Sequence, residues 1–318
     1  MQARIDRALA VLNGVLGDHL KRSGNALAIP MELIVDGEPV TPTREALADA
    51  CTAATARVVV FVHGLMSTER TWECADGSSF GSQLARDLDY TPVYVRYNTG
   101  LHISDNGDSL DTLLEALVAA YPAPIEEICL IGHSMGGLVV RSATHAAATA
   151  GDRRWLPLVS RAIYLGTPHL GAPFERLGNL TGWVLDAIGN PYTKLVADIG
   201  KLRSSGIKDL RYANLRREDW EGVDADALLQ NRRHPVPLLP HIRHYLVAAS
   251  VTKDPRLALL FGDAVVPLRS AAGRSRPGDR SPCFPQEQVR VIPGLGHMGL
   301  TRAPEVYEHI RVWCEEEP

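Results

Sequence analysis

The amino-acid sequence predicts an α/β fold with a mostly parallel central sheet, helices on both faces and a helical cap inserted late in the chain. Three observations carry this. Unbroken β-branched runs recur, beginning with "RVVVFVHG" at 57–64, and a run without polar alternation reads as a strand buried on both faces. Patterns of helical period separate these runs, the strand–helix rhythm of a parallel sheet with right-handed crossovers. Finally, "ICLIGHSMGGLVV" at 128–140 passes from strand to helix through a single sharp turn.

The elements follow in order. Residues 1–55 form an N-terminal extension. Ile5, Leu9, Leu12, Leu16 and Leu20 recur at helical spacing, so the first twenty residues read as an amphipathic helix. Asp6 and Asn13 interrupt the charged start and the apolar part, and no small-x-small cleavage pattern follows, which argues against a secretory leader. "MELIVDG" (31–37) reads as a strand with "EPVTP" as its turn or short partner, and "TREALADAC" (43–51) as a short helix capped by Thr43. After the strand at 57–64, further strands are predicted at 92–98, 126–132 and 161–167, with helices at 78–88, 108–121 and 135–148. Late strands at 244–250 and 288–294 extend the sheet, and a helix at 304–314 closes it. The interval between 167 and 244 is too long for an ordinary connection. Its helical patterns, "FERLGNLTGWVLDAIG" and "TKLVADIGKL" among them, predict a cap over 173–240 within one domain spanning 1–318.

Composition narrows the functions. The formal net charge is -4, and 45% of residues are hydrophobic and 22% charged. An acidic chain is a poor match for nucleic acid, whose phosphates need a basic surface. No run approaches the roughly 20 apolar residues of a membrane helix. A soluble, cytoplasmic protein is therefore expected. The five cysteines, Cys51, Cys74, Cys129, Cys283 and Cys314, contain no C-x-x-C pair. That speaks against a disulfide framework or a zinc site. With no H-E-x-x-H pattern either, neither a metal nor a cofactor is expected.

The chemistry is concentrated in Gly132-x-Ser134-x-Gly136. A serine on a turn between strand and helix is held in a strained backbone, with its hydroxyl raised above the sheet. Strand and helix approach so closely there that side chains at 132 and 136 would collide, which glycine avoids. The helix start also directs peptide N–H groups at the site. Ser134 is thus the predicted nucleophile. It needs a base and an acid that orients the base, and where the nucleophile sits on such a strand–turn–helix the chain order is Ser, then Asp or Glu, then His. Among the histidines downstream of Ser134, His297 follows the last strand, where the base belongs. Asp263, after the penultimate strand, is preferred as the acid over Asp254. The backbone N–H of Met135 and of Leu65, in the loop after "VVVFVHG", are predicted to form the oxyanion hole, with Met66 as the fallback. His63 and Met66 are candidate substrate-binding residues in the same loop.

"FVHGLMST", "GHSMGG", "LGTPHLGAP", "GDAVVPLRSA" and "GHMGL" together resemble the α/β-hydrolase superfamily, and within it the lipase-like serine esterases, over roughly 57–313. "VRYNTGLHISDNG" (95–107) and "GIKDLRYANL" (206–215) resemble bacterial relatives of the GPI inositol-deacylase and lipase branch. The resemblance implies an α/β-hydrolase fold and hydrolysis of a carboxylic ester by an acyl-enzyme route without a cofactor, the substrate being a small-molecule or lipid-like ester. In that family "GTPHLGAP" sits where a loop often lies beside the active site, which makes His169 a substrate-binding candidate, the alternative being a turn fixed by Pro168 and Gly171. The apolar side chains of the cap, such as Leu177, Trp183 and Ile188, suggest an apolar acyl group. Amide, thioester or acyl-transfer chemistry on the same triad, and a non-catalytic binding module of the same fold, are the alternatives.

Overall fold

The computed structural model describes residues 2–172, 204–222, 233–254, 263, 266–271, 282 and 284–316. Most of the expected cap, including Leu177, Trp183 and Ile188, lies outside these residues. The strands are β1 (Glu32–Val35), β2 (Glu38–Val40), β3 (Arg57–Val62), β4 (Tyr90–Arg96), β5 (Glu127–His133), β6 (Val159–Leu165), β7 (Arg243–Ser250) and β8 (Val289–Pro293). Among the described residues the helices are α1 (Gln2–Arg22), α2 (Arg44–Ala50), α3 (Phe80–Leu88), α4 (Ile103–Ala120), α5 (Met135–Ala150), α6 (Ser205–Tyr212) and α7 (Pro304–Glu315), with a single helical turn at Leu268–Ala271.

The eight strands form one sheet in the order β2-β1-β4-β3-β5-β6-β7-β8. β1 pairs antiparallel with both β2 and β4, and all other pairs are parallel. The continuous apolar runs have the predicted cause. Val58, Val60 and Val62 pack into one core with α4 and α5, whereas Val59 and Phe61 pack into a second core with α3 and α7. Alternate side chains of a strand point to opposite faces, so a strand covered on both sides has no polar position. The strand order turns back on itself at β3 and β5, because β3 leads to β4 on one side and β4 returns to β5 on the other. In open α/β sheets such a switch leaves a crevice outside the carboxyl ends of the strands.

Two expectations need correction. α4 begins at Ile103, five residues before the predicted start at 108. His102 at its N-cap makes no side-chain cap hydrogen bond. Instead, the Ile103 N–H donates to Asp209 Oδ2 at 3.0 Å, a cap supplied from α6. α1 forms as predicted, but of the predicted stripe only Leu20 is buried, and Leu9, Leu12 and Leu16 are half-buried. Ile5 is 52% exposed, and the deepest positions are Ala10, Val11, Asn13, Gly14, Gly17 and Leu20. The small residues let α1 lie directly on the loops after β3 and β4. A methyl at Gly14 would fall 2.3 Å from Met66 Cγ and 3.2 Å from Met66 Cα, and one at Gly17 would meet the Asn98 side chain at 1.8 Å.

Candidate functional site

Ser134 occupies the turn between β5 and α5 with φ 54° and ψ −124°. A non-glycine residue in the left-handed region is costly unless its surroundings hold it there. They do so here: the Ser134 N–H donates to the Leu165 carbonyl at the end of β6 (2.8 Å), and its own carbonyl accepts from the Gly137 N–H (3.2 Å). The flanking glycines are required by close approach, through different partners. A Cβ at 132 would lie 2.5 Å from Gly137 Cα. One at 136 would meet the Val62 and His63 carbonyl oxygens of the adjacent strand end, at 2.2 and 2.4 Å. Gly136 therefore seats α5 on β3, which brings the loop after β3 to the serine.

His297 follows β8, as predicted. Its Nδ1 is 2.6 Å from Asp263 Oδ2, and its N–H donates to the Asp263 carbonyl at 3.2 Å. The second carboxylate oxygen accepts from the Val266 N–H at 2.7 Å. A carboxylate only accepts, so Nδ1 carries the proton and Nε2 remains an acceptor. Asp263 is buried and Asp254 is exposed, which separates the two candidates. The pair sits against the end of β6: a Cβ on Gly166 would be 3.2 Å from both Asp263 Oδ2 and His297 Cε1. Leu165, whose carbonyl holds the Ser134 amide, is the residue before Gly166. The Ser134 hydroxyl makes no hydrogen bond among the described residues. Catalytic hydrogen bonds are often long before substrate arrives.

His133, between Gly132 and Ser134, links the two halves of the site. Its Nε2 approaches the His297 carbonyl at 3.2 Å, and the two rings lie 4.7 Å apart. Burial, together with the neighbouring imidazole of His297, holds His133 well below the ordinary histidine range. A neutral ring can pack there without repelling a proton on His297. Sequence reasoning missed this residue, because a histidine inside a glycine-rich turn carries no signature of its own.

The oxyanion candidates separate by their hydrogen bonds. The Met66 N–H donates to Thr99 Oγ1 at 3.1 Å, so it is occupied. The Leu65 and Met135 amides have no partner among the described residues. Leu65 is also next to Gly64, where a Cβ would fall 2.9 Å from Ser134 Cβ. Met66 has φ 56°, in the left-handed region.

The remaining candidates are all buried, and differ in their surroundings. His63 is fully buried, with its ring stacked on Tyr97 at 4.5 Å and its Nδ1 2.9 Å from the Gly64 carbonyl. Burial pushes it down to about 4. His169 is buried against Tyr164 and Phe284. Met66 lines a cavity of about 560 Å³ that also includes Met298, the residue after His297. Among the described residues no group of three or more His, Cys, Asp or Glu side chains could hold a metal ion, and no helix is long and apolar enough to cross a membrane.

This strand order and the position of the elbow at the switch point are those of an α/β hydrolase. Residues 59–309 match the Alpha/beta hydrolase family, and the chain belongs to it. The mature form of the Bacillus licheniformis lipase BlEst2 is similar in structure, with a TM-score of 0.53 and 16% identity over 90% of this chain and 99% of that one. The propeptide form of that lipase gives a TM-score of 0.55 at 16% identity, over 83% of this chain and 52% of that one. At this identity the likeness is one of fold. No curated protein matches the chain.

Proposed function

We propose that the protein is a serine hydrolase that cleaves carboxylic esters through an acyl-enzyme. The observation that carries this reading is the 2.6 Å Asp263–His297 hydrogen bond, set against the same strand end that anchors the Ser134 turn. On substrate binding His297 Nε2 takes the Ser134 proton, and Oγ bonds to the ester carbonyl carbon. The carbonyl electron pair moves onto oxygen, where the Leu65 and Met135 N–H groups receive it. The tetrahedral intermediate collapses, the alcohol leaves with the proton from His297, and an acyl group remains on Ser134. Water then gives a proton to His297 and adds to the acyl carbon. The second collapse releases the acid and returns the proton to Ser134. Asp263 keeps Nδ1 protonated and offsets the positive charge of the imidazolium.

The two segments that carry the proposed kinship with the GPI inositol-deacylase and lipase branch meet in the fold. The Gly206 N–H donates to the Gly100 carbonyl, and Asp209 holds both the His102 ring (2.9 Å) and the Ile103 amide. The decisive experiment is Ser134→Ala assayed on p-nitrophenyl butyrate, with fluorophosphonate labelling of both proteins. Loss of turnover by about 10³-fold or more, together with loss of the label in a protein of unchanged circular dichroism, is expected. Turnover close to wild type would overturn the assignment.

A further inference from the structure

The cavity of about 560 Å³ beside the site carries chemistry that the ester reading does not use. Its lining includes Met66 and Met298, the residues directly after the proposed oxyanion donor Leu65 and the base His297. It also includes three arginines from separate elements, Arg7 of α1, Arg70 and Arg302, against one acid, Glu73. Arg70 is already compensated, with Glu73 at 3.3 Å and Asp6 at 3.7 Å. The other two are not. Arg302 spends its Nε on the Thr71 carbonyl (3.2 Å), and its two terminal nitrogens have no partner among the described residues. The hydroxyl of the adjacent Thr301 donates to the same carbonyl at 2.9 Å, which pins the base of the side chain. Arg7 has no ion pair or hydrogen bond among the described residues. Arg302 is also close enough to the elbow to help disfavour a proton on His133.

Two uncompensated guanidiniums in one concavity, in a chain of net charge -4, form a local reversal of sign. Each offers a planar fork of donors suited to a carboxylate. We propose that this cavity is an anion subsite that recognises a carboxylate borne by the ester substrate, with Arg302 and Arg7 as specificity-determining residues. The inference rests on the ester-hydrolase reading above. It also departs from the apolar acyl group expected from the cap, since those apolar residues fall outside the described ones and the described cavity is cationic.

The test compares three substrates: the p-nitrophenyl monoester of glutaric acid (carboxylate on the acyl side), 3-acetoxybenzoate (carboxylate on the leaving group) and neutral p-nitrophenyl pentanoate. The expected result is a kcat/KM at least about tenfold higher for one of the two anionic esters than for the neutral one. The arm that shows it assigns the side that carries the charge. In Arg302→Gln, and further in the Arg7→Gln/Arg302→Gln double variant, the anionic-to-neutral ratio should fall towards one, with partial retention in Arg302→Lys. A neutral ester turned over as well as both anionic ones, or a ratio unmoved by the variants, would overturn the subsite and leave the Ser134 reading standing. Calorimetric binding of free glutarate and benzoate gives a readout independent of turnover. Binding of either that is lost in Arg302→Gln supports the subsite even if no ester is cleaved, in which case the Ser134 reading is the one that fails. Binding of neither, with no anionic preference, overturns the subsite.

Discussion

Replacing the Asp263 carboxylate by an amide preserves its shape and removes the acceptor that fixes the His297 tautomer. The amide can present N–H to Nδ1, which leaves Nε2 protonated and unable to accept the serine proton. Asp263→Asn is therefore expected to lower kcat on p-nitrophenyl butyrate by about 10³–10⁴-fold. Asp254→Asn, on an exposed side chain of the loop after β7, should leave kcat within about twofold, since the hydrogen bond to His297 Nδ1 is made by Asp263. Steady-state kinetics on both variants checks the pair, and a large loss in Asp254→Asn with little in Asp263→Asn would reverse the assignment. The turn at Ser134 was legible at this scale because Gly132 is dictated by local backbone geometry, its Cβ position being taken by Gly137, although Gly136 answers to the more distant Val62 and His63 carbonyls. Leu65 was placed ahead of Met66 by its position after His63-Gly64, but the physical ground that separates them was not legible, because it turns on Thr99, a residue of another loop that takes the Met66 amide.

Among the elements, α1 holds the loop that carries Leu65, the proposed oxyanion donor. Gly14 lies on Met66, the Gly14 carbonyl accepts from Ser204 Oγ at 2.6 Å, and the Gly17 carbonyl accepts from Asn98 Nδ2 at 3.0 Å. A leucine at 14 cannot fit without moving the Met66 backbone or lifting the helix. Overpacking of this kind destabilises by about 1–3 kcal/mol. Gly14→Leu is expected to lower the thermal midpoint and also to reduce kcat on a neutral ester, because Leu65 moves with Met66. A lowered midpoint with unchanged kcat would show that α1 only clads the fold. The amphipathic reading found this helix, since the 3.6 period is local. Its stripe shares only Leu20 with the deepest face, because small residues, not large ones, mark a helix that must approach backbone closely.

Across the fold, several histidines are buried as neutral rings, and this sets an acid limit. Burial holds His63 and His244 at about 4, below the ordinary 6.5, and moves His133 and His169 in the same direction. Such groups bind protons more readily unfolded than folded, so their contribution is fully present above pH 6.5 and is lost as pH falls towards 4. For His63, wholly buried, the difference amounts to about 3 kcal/mol. Asp209, whose carboxyl is raised by burial, opposes the trend. Urea midpoints should be flat from pH 8 to 7 and fall steadily between pH 6.5 and 4.5. A flat profile through that interval would show that these rings are hydrated in solution.

The sheet-forming runs, the strand–turn–helix at Ser134 and the order serine, acid, histidine could all be read from the chain before any folding. They depend on period, glycine placement and chain order, which are properties of neighbouring residues. The start of the final helix was equally local, with Pro304 at the first helical position. Other outcomes waited for the assembled fold. It buried Asp263 against His297 and left Asp254 exposed, occupied the Met66 amide while leaving that of Leu65 open, capped α4 with Asp209 and gathered Arg7, Arg70 and Arg302 around one cavity. Each of those joins residues far apart in the chain. Their free energies come from burial and hydrogen-bond geometry, which exist only once the strands have stacked into one sheet and brought their loops to its carboxyl edge.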